Sequence, residues 1–475
     1  KAMEVADSLQ EQVDGILEEG KPKDGKKIAE ALRSVSKRRI SKSELDALLE
    51  QAGESTSLDP ARILERQEAV NALRETADAI SEGRGGVRRA HFSVAVVGDR
   101  IARWAGRFPN HPYNSPLLVD LSPEGMQTVS GVARALVQKH VNEVRNMRKG
   151  SLYLEAPADL PGKIAGLDEL TWDKLTAEEK ASCAPLIVLC DETSLDRQGV
   201  AGLSGLLNSG LPVKLVLLDS CDITRDAIDP FFLGLSCPDV FVFSGSLGDF
   251  PSLAEGVRKA VAWKGASLIR IYVPLPQEHG FTPALTIERA RAAVKSGVVP
   301  VVTYDPTARN EFSSRFNFAV EPVANTAGIL EWAAGEERYA RFFSKPGEND
   351  NLIDLEVFLE MDDDEKTGLV PSIVDPGGSG ELLIDPLLLK SALRITGTMV
   401  ACRELSGHEN PEAEKLRGEL KEKLEAEAAQ AAETEELKQG YEARIAELES
   451  SVSGQMAEKL RARLLNLAGF GSNEK

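Results

Sequence analysis

Between Pro185 and Arg225 the sequence alternates strand, helix and strand, and that unit commits the chain to an α/β architecture. Leu186-Ile187-Val188-Leu189 is an unbroken apolar run, too short for a surface helix and apolar throughout, as a buried strand is. It leads into Cys190-Asp191-Glu192. Val200, Leu203, Leu206 and Leu207 then share one helical face, and Asn208-Ser209-Gly210 stops that helix. A second apolar run, Val213 to Leu218, closes on Asp219. Such a unit implies two neighbouring parallel strands joined by a right-handed crossover. Its acidic strand ends fall on the sheet edge where open α/β folds bind ligands.

The same alternation continues on both sides. Val94-Ala95-Val96-Val97 reads as a strand turning at Gly98-Asp99, and Leu117 to Asp120 as a short extended run before a long helix from about Pro123 to Met147. Further strands are expected at 240–243, 267–273 and 298–303, with helices at 251–263 and 284–296 between the last three. The fold class is therefore α/β: a mostly parallel sheet with helices on both faces. A helical N-terminal segment precedes it, and a long C-terminal amphipathic helix comes after it.

The expected divisions are 1–88, a helical appendage or linker; 92–345, the sheet domain; 346–410, a mixed connector; and 411–475, a helical tail. In the first, Ser41 to Glu44 reads as a capping box. Asp59-Pro60 is expected to start a helix through Ile63 and Val70, and the glycines of 82–86 to end it. In the connector, Asp362 to Glu365 reads as a solvated turn and Asp375 to Gly380 as a flexible loop. The latter has neither a strand before it nor Lys-Ser/Thr after it, so it does not read as a phosphate cradle. In the tail, Leu437, Tyr441, Ile445, Leu448, Val452, Met456, Leu460 and Leu464 recur every three or four residues. Gly440 and Gly454 weaken that helix locally by about 1 kcal/mol each. A stripe of this kind calls for a cover, from the chain's own domain, a twin or a partner subunit.

The unit around Asp191 resembles the diphosphate-and-magnesium half-site of thiamine diphosphate enzymes, in particular the C-terminal domain of pyruvate:ferredoxin (2-oxoacid:ferredoxin) oxidoreductases. That family carries Gly-Asp-Gly after the first strand and an asparagine after the second. Asp191 stands at the aspartate, Cys190 and Glu192 replace the glycines, and the asparagine position falls among Ile223, Thr224 and Arg225. Tyr113-Asn114-Ser115 to Glu124-Gly125 is similar to the family's run ahead of its long helix. Ala266 to Ile269, Pro274 to His279-Gly280, Ala293 to Gly297 and Tyr304-Asp305-Pro306 look like its closing strands, in order. The likeness spans roughly 92 to 345, and some longer members end in a similar helical tail. It implies a thiamine-diphosphate-binding-like fold with a degenerate site. The residues at the remnant site are Asp191, Glu192, Asp219 and Arg225, with Asp191 as the metal position. The family's cluster cysteines are missing, and Leu275 and Pro276 stand where one would be.

Composition narrows the function. A net charge of −19 disfavours nucleic acid and anionic membrane surfaces. No run of 18 apolar residues offers a membrane span. No signal peptide is visible, so the expected location is cytoplasmic, with extension upstream of Lys1 left open. The five cysteines, at 183, 190, 221, 237 and 402, form no Cys-x-x-Cys pair. They read as buried reduced thiols rather than a disulfide, zinc or iron–sulfur framework, with a redox role for Cys190 and Cys221 the weaker alternative. His279 alone among the histidines lies in a family-like stretch, and a structural role is preferred for it. Asp191, Glu192, Asp219 and Asp222 read either as an Mg²⁺ or Ca²⁺ cluster or, preferably, as capping and solvated carboxylates. Three functions remain. The favoured one is a non-catalytic scaffold or interaction module among 2-oxoacid oxidoreductase subunits, holding no cofactor and assembling through the C-terminal helix. The others are an active thiamine-diphosphate- and magnesium-dependent component, and an unrelated α/β binding protein with an assembly tail.

Overall fold

The computed structural model describes residues 1–19, 60–81, most of 91–407, isolated positions between 418 and 423, and the helix Glu435–Leu467. The Ser41 capping box, Asp59 and the glycines of 82–86 lie outside the described residues. The chain divides into two compact units. The first comprises Lys1–Val94, Pro112–Leu117 and Val129–Leu186; the second comprises Ala95–His111, Leu118–Thr128 and Ile187–Lys475.

The first unit is helical. Helices Ala2–Glu19 and Pro60–Ser81 pair. Leu9, Ala69, Val70 and Tyr153 form their core, the last supplied by the long helix Gly125–Glu155. Apolar residues at helical spacing on each partner create this seam. Ile63 and Val70 are both buried, so the face read from the sequence is the one that packs. Thr176 and Glu179 form a complete capping box at the helix Ala177–Ala181. Glu179 also takes two bonds from Arg148, which hold its carboxyl well down, to about 2.

The second unit carries the sheet. Its strands are β1 (Ser93–Val97), β2 (Leu117–Asp120), β3 (Leu186–Asp191), β4 (Val213–Asp219), β5 (Phe241–Ser246), β6 (Ser267–Tyr272), β7 (Val302–Tyr304) and β8 (Phe316–Phe318), the first three beginning one or two residues outside the unit. The order is β2-β1-β3-β4-β6-β5-β7-β8. The sheet is mostly parallel. β6 lies parallel to both β4 and β5, with Asp219 and Ser246 flanking Tyr272. The runs at 186–191 and 213–219 are adjacent strands joined by the helix Arg197–Leu207.

The far edge departs from the expected alternation. β7 starts only at Val302, because Pro300 has no N–H for a ladder. It runs antiparallel to β5 and forms an antiparallel pair with the unforeseen β8.

A second sheet, of order β10-β11-β12-β9, was not legible. Its strands are β9 (Phe343–Ser344), β10 (Leu352–Asp354), β11 (Val370–Val374) and β12 (Glu381–Ile384). Four short strands of two to five residues leave little periodicity to read. The segment Asp375–Gly380 does have a strand before it, contrary to expectation, since β11 ends at Val374. It leads into the antiparallel strand β12 rather than a helix, and Gly378 and Gly380, both at positive φ, lie in that hairpin connection. Both sheets share one core. Ile223, Tyr272, Val298 and Val299 belong to the same buried cluster as Ile373, Ile384 and Leu388.

Within the large sheet, Phe243 of β5 lies in a slot. A Cβ at Gly256 would come within 2.1 Å of its ring, and one at Gly245 within 2.4 Å. No helix among the described residues is long and apolar enough to cross a membrane.

Candidate functional site

Asp191, Glu192, Asp219 and Arg225 do come together where β3 and β4 end, but each is engaged by neighbours from the same unit. Asp191 is the last residue of β3 and fully buried. Its Oδ1 accepts from the Thr193 backbone N–H at 3.0 Å, from the Thr193 hydroxyl and from Ser194 Oγ at 3.4 Å. It thus caps the short 3-10 turn Glu192–Ser194. Its Oδ2 has no partner among the described residues. Ser194 also donates to the carbonyl of Val97 at 3.2 Å, tying β3 to the end of β1. The next residue, Gly98, has φ +99, and a Cβ there would sit 2.9 Å from Ser194 Oγ and 3.5 Å from both Asp191 oxygens. The turn at Gly98 is required by that approach.

Glu192 is the centre of the edge. Its Oε1 accepts from Arg100 Nη1 at 2.7 Å and from Ser220 Oγ at 2.5 Å, and its Oε2 accepts from the Ser220 backbone N–H at 3.4 Å. Arg225 Nη1 donates to the Glu192 carbonyl at 2.6 Å. Burial alone would lower the Arg100 pKa, but Glu192 beside it more than reverses this and raises it. Arg100 reaches Glu278 as well, at 3.0 Å.

Asp219 closes β4. Its Oδ1 accepts from the Cys221 N–H at 2.8 Å and its Oδ2 from Arg270 Nε at 2.6 Å. Arg270 is buried and also contacts both oxygens of Asp229 at 3.3 Å. Burial opposes its charge, and Asp229 and Asp219 outweigh that and raise its pKa. Beyond Asp219, Cys221 adopts φ +53. Arg338 holds this bend by donating to the carbonyls of Ser220 at 3.0 Å and Cys221 at 3.3 Å, while its Nε pairs with Glu336 at 2.6 Å. Asp222, the fourth acidic residue, accepts from its neighbour Thr224.

Among the described residues, no group of three or more His, Cys, Asp or Glu side chains is arranged to hold a metal. The edge residues also fit a diphosphate poorly. Glu192 lies between Arg100 and Ser220, the donors an anion would use. All five cysteines are buried and none forms a disulfide. Burial, followed by Asp219, pushes the Cys221 thiol up to about 12, and burial likewise raises Cys190. Reactive thiolates need the opposite shift.

His279 is buried with its Nδ1 3.5 Å from Glu336 Oε2. Burial, then Arg338 and Arg100, hold it far below the ordinary imidazole value, at about 3. As pH falls, the unfolded chain takes up this proton near pH 6.5 and the folded chain only near 3. Stability is therefore complete above pH 6.5 and declines between those values. Glu336, raised by burial, acts in the opposite sense. From pH 7.5 to 5, His279 is expected to account for about 2 kcal/mol of lost unfolding free energy. Urea titrations of the wild type and His279→Gln at the two pH values check this, and equal losses in the two chains would refute it.

Sequence reasoning missed Arg100, Ser220, Arg270, Glu336 and Arg338. Arg270 alone left a signal, a charge inside the apolar run Leu268 to Tyr272, which has to find buried partners. No known family's sequence profile matches the chain, and no curated protein is detectably similar to it.

Proposed function

We propose that this chain is a non-catalytic member of a 2-oxoacid:ferredoxin oxidoreductase-type complex. Its thiamine-diphosphate-binding-like body then serves as scaffold or interaction module for the other subunits, in the cytoplasm and without a cofactor of its own. The observation that carries the reading is the Glu192 carboxylate, held by Arg100 and Ser220 at the carboxyl edge of β3 and β4. A carboxylate there is an internal anion. It already occupies the Arg100 and Ser220 donors that a phosphate would use, so an incoming diphosphate has to displace it from both.

One observation favours the rival reading, an active thiamine-diphosphate-dependent component. Asp191 Oδ2 is buried and unpartnered among the described residues, as a carboxylate awaiting a cation would be. Titration calorimetry of the folded chain with thiamine diphosphate and Mg²⁺ separates the two. No binding heat up to millimolar ligand is expected. A dissociation constant in the low micromolar range would overturn the scaffold reading and restore the enzyme. Mass spectrometry of the native complex tests the partners, and the absence of any oxidoreductase subunit would count against the assignment.

A further inference from the structure

The C-terminal helix Glu435–Leu467 leaves an apolar stripe uncovered. Every residue from 443 to 452 is exposed, including Ile445 at 37%, Leu448 at 42% and Val452 at 40%. At 3.6 residues per turn these three and Met456 fall within an arc of roughly 80°, a narrow seam of the coiled-coil type. Leu420, ahead of this helix, is also exposed, at 47%. The far end of the helix is anchored, with Arg463 3.2 Å from Glu404 at the end of the helix Pro386–Leu405.

Charge along the helix is sharply divided. Residues 435–450 carry five acidic and two basic side chains, a net of −3; residues 451–467 carry one acidic and three basic, a net of +2. Two copies aligned in parallel would set like against like. Aligned antiparallel, they bring each acidic half against a basic half. The seam allows this, because reversing the helix about the Ser450–Ser451 bond places Ile445 opposite Met456 and Leu448 beside Val452.

We propose that this helix pairs antiparallel with the same helix of a second copy of the chain, through Ile445, Leu448, Val452 and Met456. The pairing does not depend on the oxidoreductase reading. A seam of about three turns makes a weak, concentration-dependent dimer rather than an obligate one.

Sedimentation of the 475-residue chain across 2–200 µM, roughly the range for a short seam, is expected to show mass rising towards twice the monomer. Val452→Asp, on an exposed position that leaves the folded body untouched, is expected to raise the dimer dissociation constant about tenfold or more. Lys459→Glu is expected to weaken pairing, and adding Glu442→Lys, the position opposite it in this register, to restore it. Orientation is read by oxidising a mixture of chains bearing Ile445→Cys and chains bearing Met456→Cys. Cross-links between the two kinds are expected, and the buried native thiols keep the background low. A monomer at every concentration with its helix intact would overturn the proposal. So would preferential cross-linking of Ile445→Cys chains to themselves, which marks a parallel pair, or a dimer unaffected by Val452→Asp.

Discussion

Replacing Arg270 by methionine is expected to cost the fold about 3–5 kcal/mol, a large part of a domain's whole stability. Arg270 is buried in the sheet, with Asp219 at 2.6 Å and Asp229 at 3.3 Å. Methionine fills a similar volume but leaves Asp219 buried opposite an apolar chain. Most of the loss is thus the penalty for an orphaned charge, not the net worth of the ion pair. Two variants read by urea denaturation distinguish these. Arg270→Met alone should be strongly destabilised. Arg270→Met with Asp219→Asn should recover at least half of the loss, because the more deeply buried of its two partners is then neutral while Asp229 remains partly exposed to water. A single-variant change below about 1 kcal/mol would show that water reaches Asp219 and that the network is not dry.

Gly256→Val is expected to be nearly as damaging, at about 3 kcal/mol, the upper end of overpacking costs. A Cβ at this position would come within 2.1 Å of the Phe243 ring, which is buried and is closely approached by Gly245 as well. The ring has nowhere to retreat within a close-packed interior. Shortening the ring in the same chain, Phe243→Leu with Gly256→Val, is expected to be more stable than the sum of the single losses by about 1 kcal/mol or more. Strict additivity in thermal or urea unfolding would place the strain elsewhere.

The parts of the fold that were legible in the sequence are those in which one element suffices to reveal itself. β3 and β4 are continuous apolar runs ending on Asp191 and Asp219, and no other element type accommodates them at that length. The helix at 250–262 was equally plain in its spacing. The elements that escaped depend on partners distant in sequence. Phe343-Ser344 is a strand only because Ile384 and Leu383 pair with it. The candidate site divides likewise. The acidic strand ends were visible locally, whereas Glu192 is neutralised from position 100 and Asp219 from position 270, and nothing near either residue foretells that. The carboxylates looked like a cluster because their counter-charges were elsewhere in the chain.

The placement of β6 between β4 and β5 also bears on how the protein emerges from the ribosome. β5 is synthesised before β6, yet β6 is the neighbour it shares with β4. A nascent chain that has emerged as far as Ser246 therefore presents two strand edges of unpaired backbone groups, with the strand that fits between them still inside the ribosome. Those edges are open to wrong pairing until Tyr272 clears the exit tunnel. The interval from Ser246 to Tyr272 takes on the order of a few seconds at ordinary elongation rates. The helix Phe250–Ala262 emerges in that interval, and its buried face, Leu253, Gly256 and Ala260, is the first cover available to β5.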